Sequence, residues 1–308
     1  MPGRFLSAAI ATLAAVGCGP PVEHRLDQRT SAIEAPNGES LNGESLNGES
    51  LNGESLNGES LNGESLNGES LNGESLNGES LNGTSLSATT ISGTTLTGAD
   101  LIGTTFDGVT VSGQTVRLRI ESVTQGTGAN ADVFYYGLSW KDTNGWQPTC
   151  ANSGLSIPLT GRWNFGQGVT GGGSWTADWN FVTWSCQSSS IGKCVDLGYK
   201  PWKFVGNTSL RAYHQACTRL LRADYCGNGQ PYTVNGTLVD LYDGLGIQVD
   251  TDSNWSLEAE WDDTGARCMT GKTRSPGPVP PCQSSLISGG CGSRGHFNNG
   301  TLVMSRIQ

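Results

Sequence analysis

The chain has 308 residues, a formal net charge of −10, 35% hydrophobic residues and 7% aromatic residues. The charge is unevenly placed: residues before 117 hold 14 acids against 3 bases, and those from Arg117 onward hold 14 against 15. The N-terminal part is therefore acidic and the C-terminal part near neutral, which excludes a basic nucleic-acid footprint anywhere along the sequence.

Residues 1–18 open with Arg4 and an apolar run from Phe5 to Val16, too short to span a bilayer, and end in Ala-Ala-Val-Gly-Cys. This pattern reads as an export signal. Small residues ahead of Cys18 resemble the lipobox of bacterial lipoproteins, although Ala15 stands where that motif usually has Leu. The resemblance implies a lipid on Cys18 and membrane contact only through that anchor. The expected location is the outer membrane, the cell surface or the secreted fraction. Residues 19–36 read as a linker.

Nine cysteines are present. Setting Cys18 aside leaves Cys150, Cys186, Cys194, Cys217, Cys226, Cys268, Cys282 and Cys291, an even set confined to the C-terminal part. In an exported chain these predict paired disulfides with connectivity left open. No C-x-x-C spacing occurs, so a zinc site is not expected. No cofactor is expected.

From Leu41 to Val116 an apolar residue recurs at every fifth position, with Ile91, Phe106 and Val111 replacing Leu late in the run. The period resembles the pentapeptide-repeat family, which implies a right-handed quadrilateral β-helix with a small residue pointing inward two places before each central Leu or Phe. "ADLIG" at Ala99–Gly103 fits that pattern, whereas "ESLNG" puts Glu39 to Glu79 at the inward position. Stacked coils would bring those carboxylates about 4.8 Å apart. Burying each ion costs several kcal/mol, which about 1.5–3 kcal/mol per buried Leu does not offset. Residues 37–80, built only from Asn, Gly, Glu, Ser and Leu, are thus expected to be a low-complexity acidic spacer. Residues 81–116 are expected to form more regular coil-like β structure capping the next domain. Some pentapeptide proteins mimic duplex DNA, a function the export signal and the Glu register both disfavour here.

Beyond Arg117 the texture changes, and every Trp and Tyr lies in this part. "VRLRIESV" alternates apolar and charged residues as a strand does, and "DVFYYGLSW" reads as another. "VTGGGSWTADWNFVTWSC" suggests a hairpin, as does "PYTVNGTLVDLYD" around Asn235-Gly236. "SLEAEW" and "ARCMTG", joined by "DDTG", form a further expected pair. One segment reads as a helix: Tyr213, Ala216, Cys217, Leu220 and Leu221 share a face, with Thr208 or Ser209 to cap the start and Gly227 to end it. A continuous helix would hold Cys217 and Cys226 about 13 Å apart, and a disulfide needs less than about 7 Å, so they need other partners.

"RADYCG" at Arg222–Gly227, followed by "PYTVNGTLVDLYD", resembles the ADYC domain, and "GKCVDLGYKPW" and "EAEWDDTGARC" fit the same family. The resemblance takes in most of residues 117–308. The cysteine count with the strand and helix signals makes residues 117–308 an expected disulfide-rich α+β domain with one principal helix, in a mainly β protein. The resemblance assigns no activity.

Candidate chemistry is sparse. His214 and Asp224, on and beside the helix, are the weak acid–base candidates; Asp224 opposes the helix macrodipole and needs Arg219, Arg222 or a loop N–H as partner. Cys217 beside His214 is expected in a disulfide rather than as a nucleophile. "CGSRG" misses the G-x-S-x-G elbow because Cys291 stands at the first position. Asp250, Asp252 and Asn254 resemble the start of a calcium loop, but Trp255 replaces the turn Gly. The many Trp residues are expected mainly in the core rather than on a sugar-binding face. The resulting expectation is an exported or surface-anchored binding or adhesion protein for an unknown extracellular ligand. The alternative is an extracellular hydrolase working near His214 and Asp224.

Overall fold

The computed structural model describes residues 51–54, 76–90, 94–110, 115–150, 154–178, 181–233, 237–274 and 278–308. The export signal, Cys18, the linker and most of the monotonous tract lie outside the described residues, as does Asn235-Gly236.

In chain order the first half contains β1 (Leu51–Glu54), β2 (Leu76–Asn82), β3 (Ser85–Thr90), β4 (Thr95–Thr97), β5 (Thr105–Thr110), β6 (Thr115–Gln125), β7 (Phe134–Asp142), β8 (Gly145–Pro148) and β9 (Leu155–Thr160). The short pair β10 (Arg162–Trp163) and β11 (Trp175–Thr176) follows, then β12 (Phe181–Cys186) and α1 (Ser190–Asp196). The second half has the hairpin β13 (Phe204–Val205) and β14 (Thr208–Ser209), then α2 (Arg211–Arg222), β15 (Val239–Asp243), β16 (Ser256–Asp262), β17 (Gly265–Met269), α3 (Gln283–Leu286) and β18 (Val303–Ile307).

The largest sheet runs β6-β5-β1-β12-β9-β7, and β7 pairs again with β6, so six antiparallel strands close into a barrel; β8 is hairpinned onto β7. Strand alternation explains its inside. Val116, Leu118 and Ile120 of β6 and Tyr136, Leu138 and Trp140 of β7 are buried with Phe106, Val182 and Trp184 in one cluster. Leu118 lies opposite Trp140 and Ile120 opposite Leu138, so like faces meet. The opposite face of the β7-β9-β12 arc carries Tyr135, Ile157 and Leu159, which pack on Ile191 and Val195 of α1.

Residues 76–97 do not stack as coils. β2, β3 and β4 pair antiparallel, and β5 pairs antiparallel with β6, whereas a quadrilateral β-helix stacks its strands in parallel. The expected coil-like cap over 81–116 is thus replaced by hairpins that join the barrel. The local cause is the turn between β2 and β3, where Gly83 takes φ +64° and Asn82 faces Ser85. Thr84 is then drawn onto the barrel: its hydroxyl accepts the Phe134 N–H at 2.7 Å and its carbonyl accepts the Tyr136 O–H at 3.0 Å.

The second sheet has the order β15-β18-β16-β17, all antiparallel. The expected β16–β17 hairpin is present, with Asp262 opposite Gly265. The expected hairpin at Asn235 differs: β15 pairs with β18 far along the chain, and residues 231–233 form no strand. Likewise β11 pairs with β10, and β12 pairs with β9, so the glycine run does not fold back on β12. The helix is found at 211–222, buried on nearly all sides from Tyr213 to Arg222 because it lies between α1 and the second sheet. At its start the Ser209 hydroxyl accepts the Arg211 N–H at 3.3 Å, as expected, and the helix stops at Ala223, four residues before Gly227.

Four disulfides tie these layers: Cys150–Cys186, Cys194–Cys217, Cys226–Cys282 and Cys268–Cys291. Cys194–Cys217 joins α1 to α2. Closing loops of 23 to 56 residues contributes about 3–4 kcal/mol each on the chain-entropy argument. Such a set is compatible with an extracellular protein.

Candidate functional site

The chain leaves α2 through Ala223-Asp224-Tyr225-Cys226, and each of these residues has its own internal partner. Ala223 is fully buried and left-handed (φ 52°), the one non-glycine residue among those described with positive φ. This reversal lets the Ala223 and Asp224 N–H groups bond the carbonyls of Leu220 and Arg219, closing the helix. Asp224 folds back onto Arg219 in a buried ion pair and accepts the N–H of Asn228 at 3.0 Å and of Gly229 at 2.9 Å. Arg219 continues to the Gly172 carbonyl at 2.6 Å and the Ser174 hydroxyl at 2.7 Å. Gly173 must lack a side chain, since a Cβ there would lie 2.6 Å from Arg219 Nη1.

Tyr225 points the other way. Its O–H donates to Glu258 Oε1 at 2.6 Å, and its ring stacks on Trp261 with centroids 5.2 Å apart. Glu258 is held by two parallel bonds from Arg274, Nε to Oε1 and Nη2 to Oε2, both 2.7 Å, and both side chains are 0% exposed. The Ser305 hydroxyl donates to Oε2 at 2.6 Å while accepting Trp261 Nε1–H at 2.9 Å. Burial and then the Glu258 charge push the Tyr225 phenol far above its ordinary range, so it remains a donor. Cys226 is bonded to Cys282. Gly227 takes φ +65° where a Cβ would overlap the Thr264 carbonyl.

His214 lies in the packing between α2 and α1. Its Nε2–H donates to the Ile191 carbonyl at 3.0 Å, and Trp163 meets the ring edge-on at 5.5 Å. Burial, aided by the Arg211 charge, lowers its pKa to about 3, so it is neutral near pH 7. His214 and Asp224 share no hydrogen-bonding partner among the described residues, and neither lines the surface depression at the 294–298 turn. Cys217 is bonded to Cys194.

Asp250 faces arginine rather than a place for calcium. Its oxygens take Arg306 Nε at 3.0 Å and Nη2 at 3.1 Å, with Arg294 at 3.3 Å. The Asp252 N–H caps Asp240, and Asn254 is exposed. Among the described residues the one cluster with metal-ligand atom types is Glu260, Cys268 and Cys291. Its two sulfurs are bonded to each other, and Glu260 accepts Gly292 N–H, His296 Nδ1–H and Thr301 O–H. Burial raises the Glu260 pKa, but those three donors outweigh it and leave the carboxyl below its ordinary range.

A surface depression of about 470 Å³ lies between the 243–250 loop and the 294–298 turn. Asp243 builds its wall from within, accepting Tyr199 O–H at 2.7 Å and the N–H groups of Leu245 and Gln248 at 2.6 and 2.8 Å. Phe297 leans edge-on against Tyr242, with centroids 6.2 Å apart. Arg294, 68% exposed, stands at the rim beside the exposed Asn298. Sequence reading did not single out Arg294, Phe297 or Asn298 as site residues. Nothing in their spacing links them to Asp243 and Asp250, some fifty residues away.

The geometry defines a disulfide-stapled domain organised around one helix terminus. The chain belongs to the ADYC-domain family, whose model matches residues 98–275, more than half of its length. No curated protein and no solved structure matches it.

Replacing Glu258 by Gln leaves Arg274 buried and unpaired and is expected to cost about 3–5 kcal/mol in urea unfolding. Glu258→Gln with Arg274→Met is expected to recover much of that loss. For His214 the folded pKa of about 3 lies below the ordinary 6.5, so the unfolded chain takes up the proton first. Its contribution is full above pH 6.5 and declines as pH falls toward 3, by about 1.4 kcal/mol per pH unit. His214→Gln should flatten the pH dependence of unfolding free energy just below pH 6.5, measured by denaturant titration.

Proposed function

We propose that this is an exported, Cys18-lipidated protein whose pentapeptide tract holds the ADYC domain away from the membrane, where it binds an extracellular ligand. The observation that carries the binding reading is the contrast between two sets of polar groups. His214 and Asp224 are committed to internal contacts, while the 470 Å³ depression presents donors and acceptors at the surface. Its charges are near balance: Arg306 and Arg294 offset Asp250, and Asp243 is satisfied by its own loop. Strong anions meet carboxylates there and cations meet guanidinium groups. A neutral, hydroxyl-rich molecule, donor and acceptor at once, suits such a lining, and Phe297 offers it an apolar wall.

Mass spectrometry of the mature chain under non-reducing conditions is expected to begin at Cys18 with a lipid adduct; an unmodified N-terminus there removes the anchor. Binding of the full mature chain is to be measured on an array of immobilised neutral and acidic oligosaccharides. Arg294→Ala and Asn298→Ala should each weaken retention of neutral glycans about tenfold or more while leaving unfolding unchanged. His214→Gln should retain binding. Hydrolysis of the bound glycan that His214→Gln abolishes would instead establish the hydrolase alternative.

A further inference from the structure

The barrel is completed by a strand of unusual origin. β1 is Leu-Asn-Gly-Glu from the monotonous tract, with Leu51 opposite Trp184 and Glu54 opposite Phe181 on β12. On its other side Leu51 lies opposite Thr110 and Gly53 opposite Gly108 on β5. β5 and β12 also touch directly, since Phe106 of one and Trp184 of the other meet inside the barrel with centroids 5.7 Å apart. Their facing edges leave room for a single strand, which bonds to both neighbours.

The four residues in that position recur letter for letter at 41–44, 46–49, 56–59, 61–64, 66–69, 71–74 and 76–79, the last inside β2. An ordinary register slip of one residue turns every side chain to the wrong face. A slip of one whole repeat has no such penalty, since it presents the same residue at each pairing position. Nothing in β5 or β12 distinguishes one unit from the next.

We propose that the edge between β5 and β12 is a strand-acceptor site for any one of the identical Leu-Asn-Gly-Glu units ahead of β2. The length of tract left between the N-terminus and the barrel therefore changes in steps of one repeat, about 17 Å of extended chain per step. The ligand of this site is the chain's own tract, recognised by backbone pairing rather than by a unique sequence.

Thermal unfolding of the full mature chain tests this. Proline cannot occupy a strand paired on both sides. Gly53→Pro alone is expected to leave the melting temperature unchanged, because another unit takes the seat. Proline at Gly43, Gly48, Gly53, Gly58, Gly63, Gly68 and Gly73 together should lower it by about 5–10 °C. A synthetic peptide of three Leu-Asn-Gly-Glu-Ser repeats added to that variant should restore it in a concentration-dependent way. A fall with Gly53→Pro as large as with the full set would show one fixed register and overturn the proposal. No fall with the full set would show that the tract does not fill the edge. Sedimentation velocity showing that Gly53→Pro keeps its melting temperature only as a dimer would give the seat to a second copy, which also overturns it.

Discussion

The second half of the fold converges on the buried pair of Glu258 and Arg274. Two charges removed from water are tolerable only when every lone pair and proton is satisfied, and here Tyr225, Ser305 and the guanidinium fork complete the set. The pair thereby dictates where four otherwise independent segments must lie: the residues after α2, strands β16 and β18, and the loop carrying Arg274. Loss of either ion leaves the other charge stranded in a medium of low polarisability, and loss of either hydroxyl leaves a carboxylate lone pair unsatisfied. This makes the arrangement a source of specificity more than of net stability.

Around that centre the helix terminus acts in two directions. Asp224 and Arg219 reach toward the Gly172–Ser174 segment and hence toward the barrel side, while Tyr225 and Cys226 reach toward the second sheet and the 282 loop. A left-handed alanine makes the divergence possible, because it turns consecutive residues to opposite sides of the helix axis. The tetrapeptide is thus a junction between layers, and its residues have little left over for chemistry.

Local patterns were legible where local physics decides. The alternation of β6 and β7, the β16–β17 hairpin and the face of α2 follow from periods of two and of three to four residues. The separate partners expected for Cys217 and Cys226 are Cys194 and Cys282, although the helix ends at Arg222 and so does not itself span the distance between the two. Illegible were the features set by distant segments. The Asn235-Gly236 signal met a β15 whose pairing is with β18, and the glycine run at 171–173 lies in the loop joining β10 to β11, with Gly173 close against Arg219, rather than turning β11 onto β12. The period of five in residues 81–116 matched a coil motif, yet the turn at Gly83 and the antiparallel pairing of β2, β3 and β4 set the described part of that stretch differently. Of the candidate site, Asp250 was read as part of a cation loop because its arginine partners lie 44 and 56 residues onward.

One boundary has a consequence for how such proteins diverge. The family match stops at residue 275, whereas Arg294, Phe297 and Asn298 come after it. One flank of the depression therefore belongs to the shared scaffold and the other to a tail outside it, fastened back by Cys268–Cys291. That tail also enters the interior, since Val303 and Ile307 of β18 are buried in the second core and the Ser305 hydroxyl bonds Glu258, so variation after residue 275 is constrained along β18 and freer at the exposed 294–298 turn. Kinship by the tetrapeptide forecasts architecture, while the contour of this depression is written partly downstream of it.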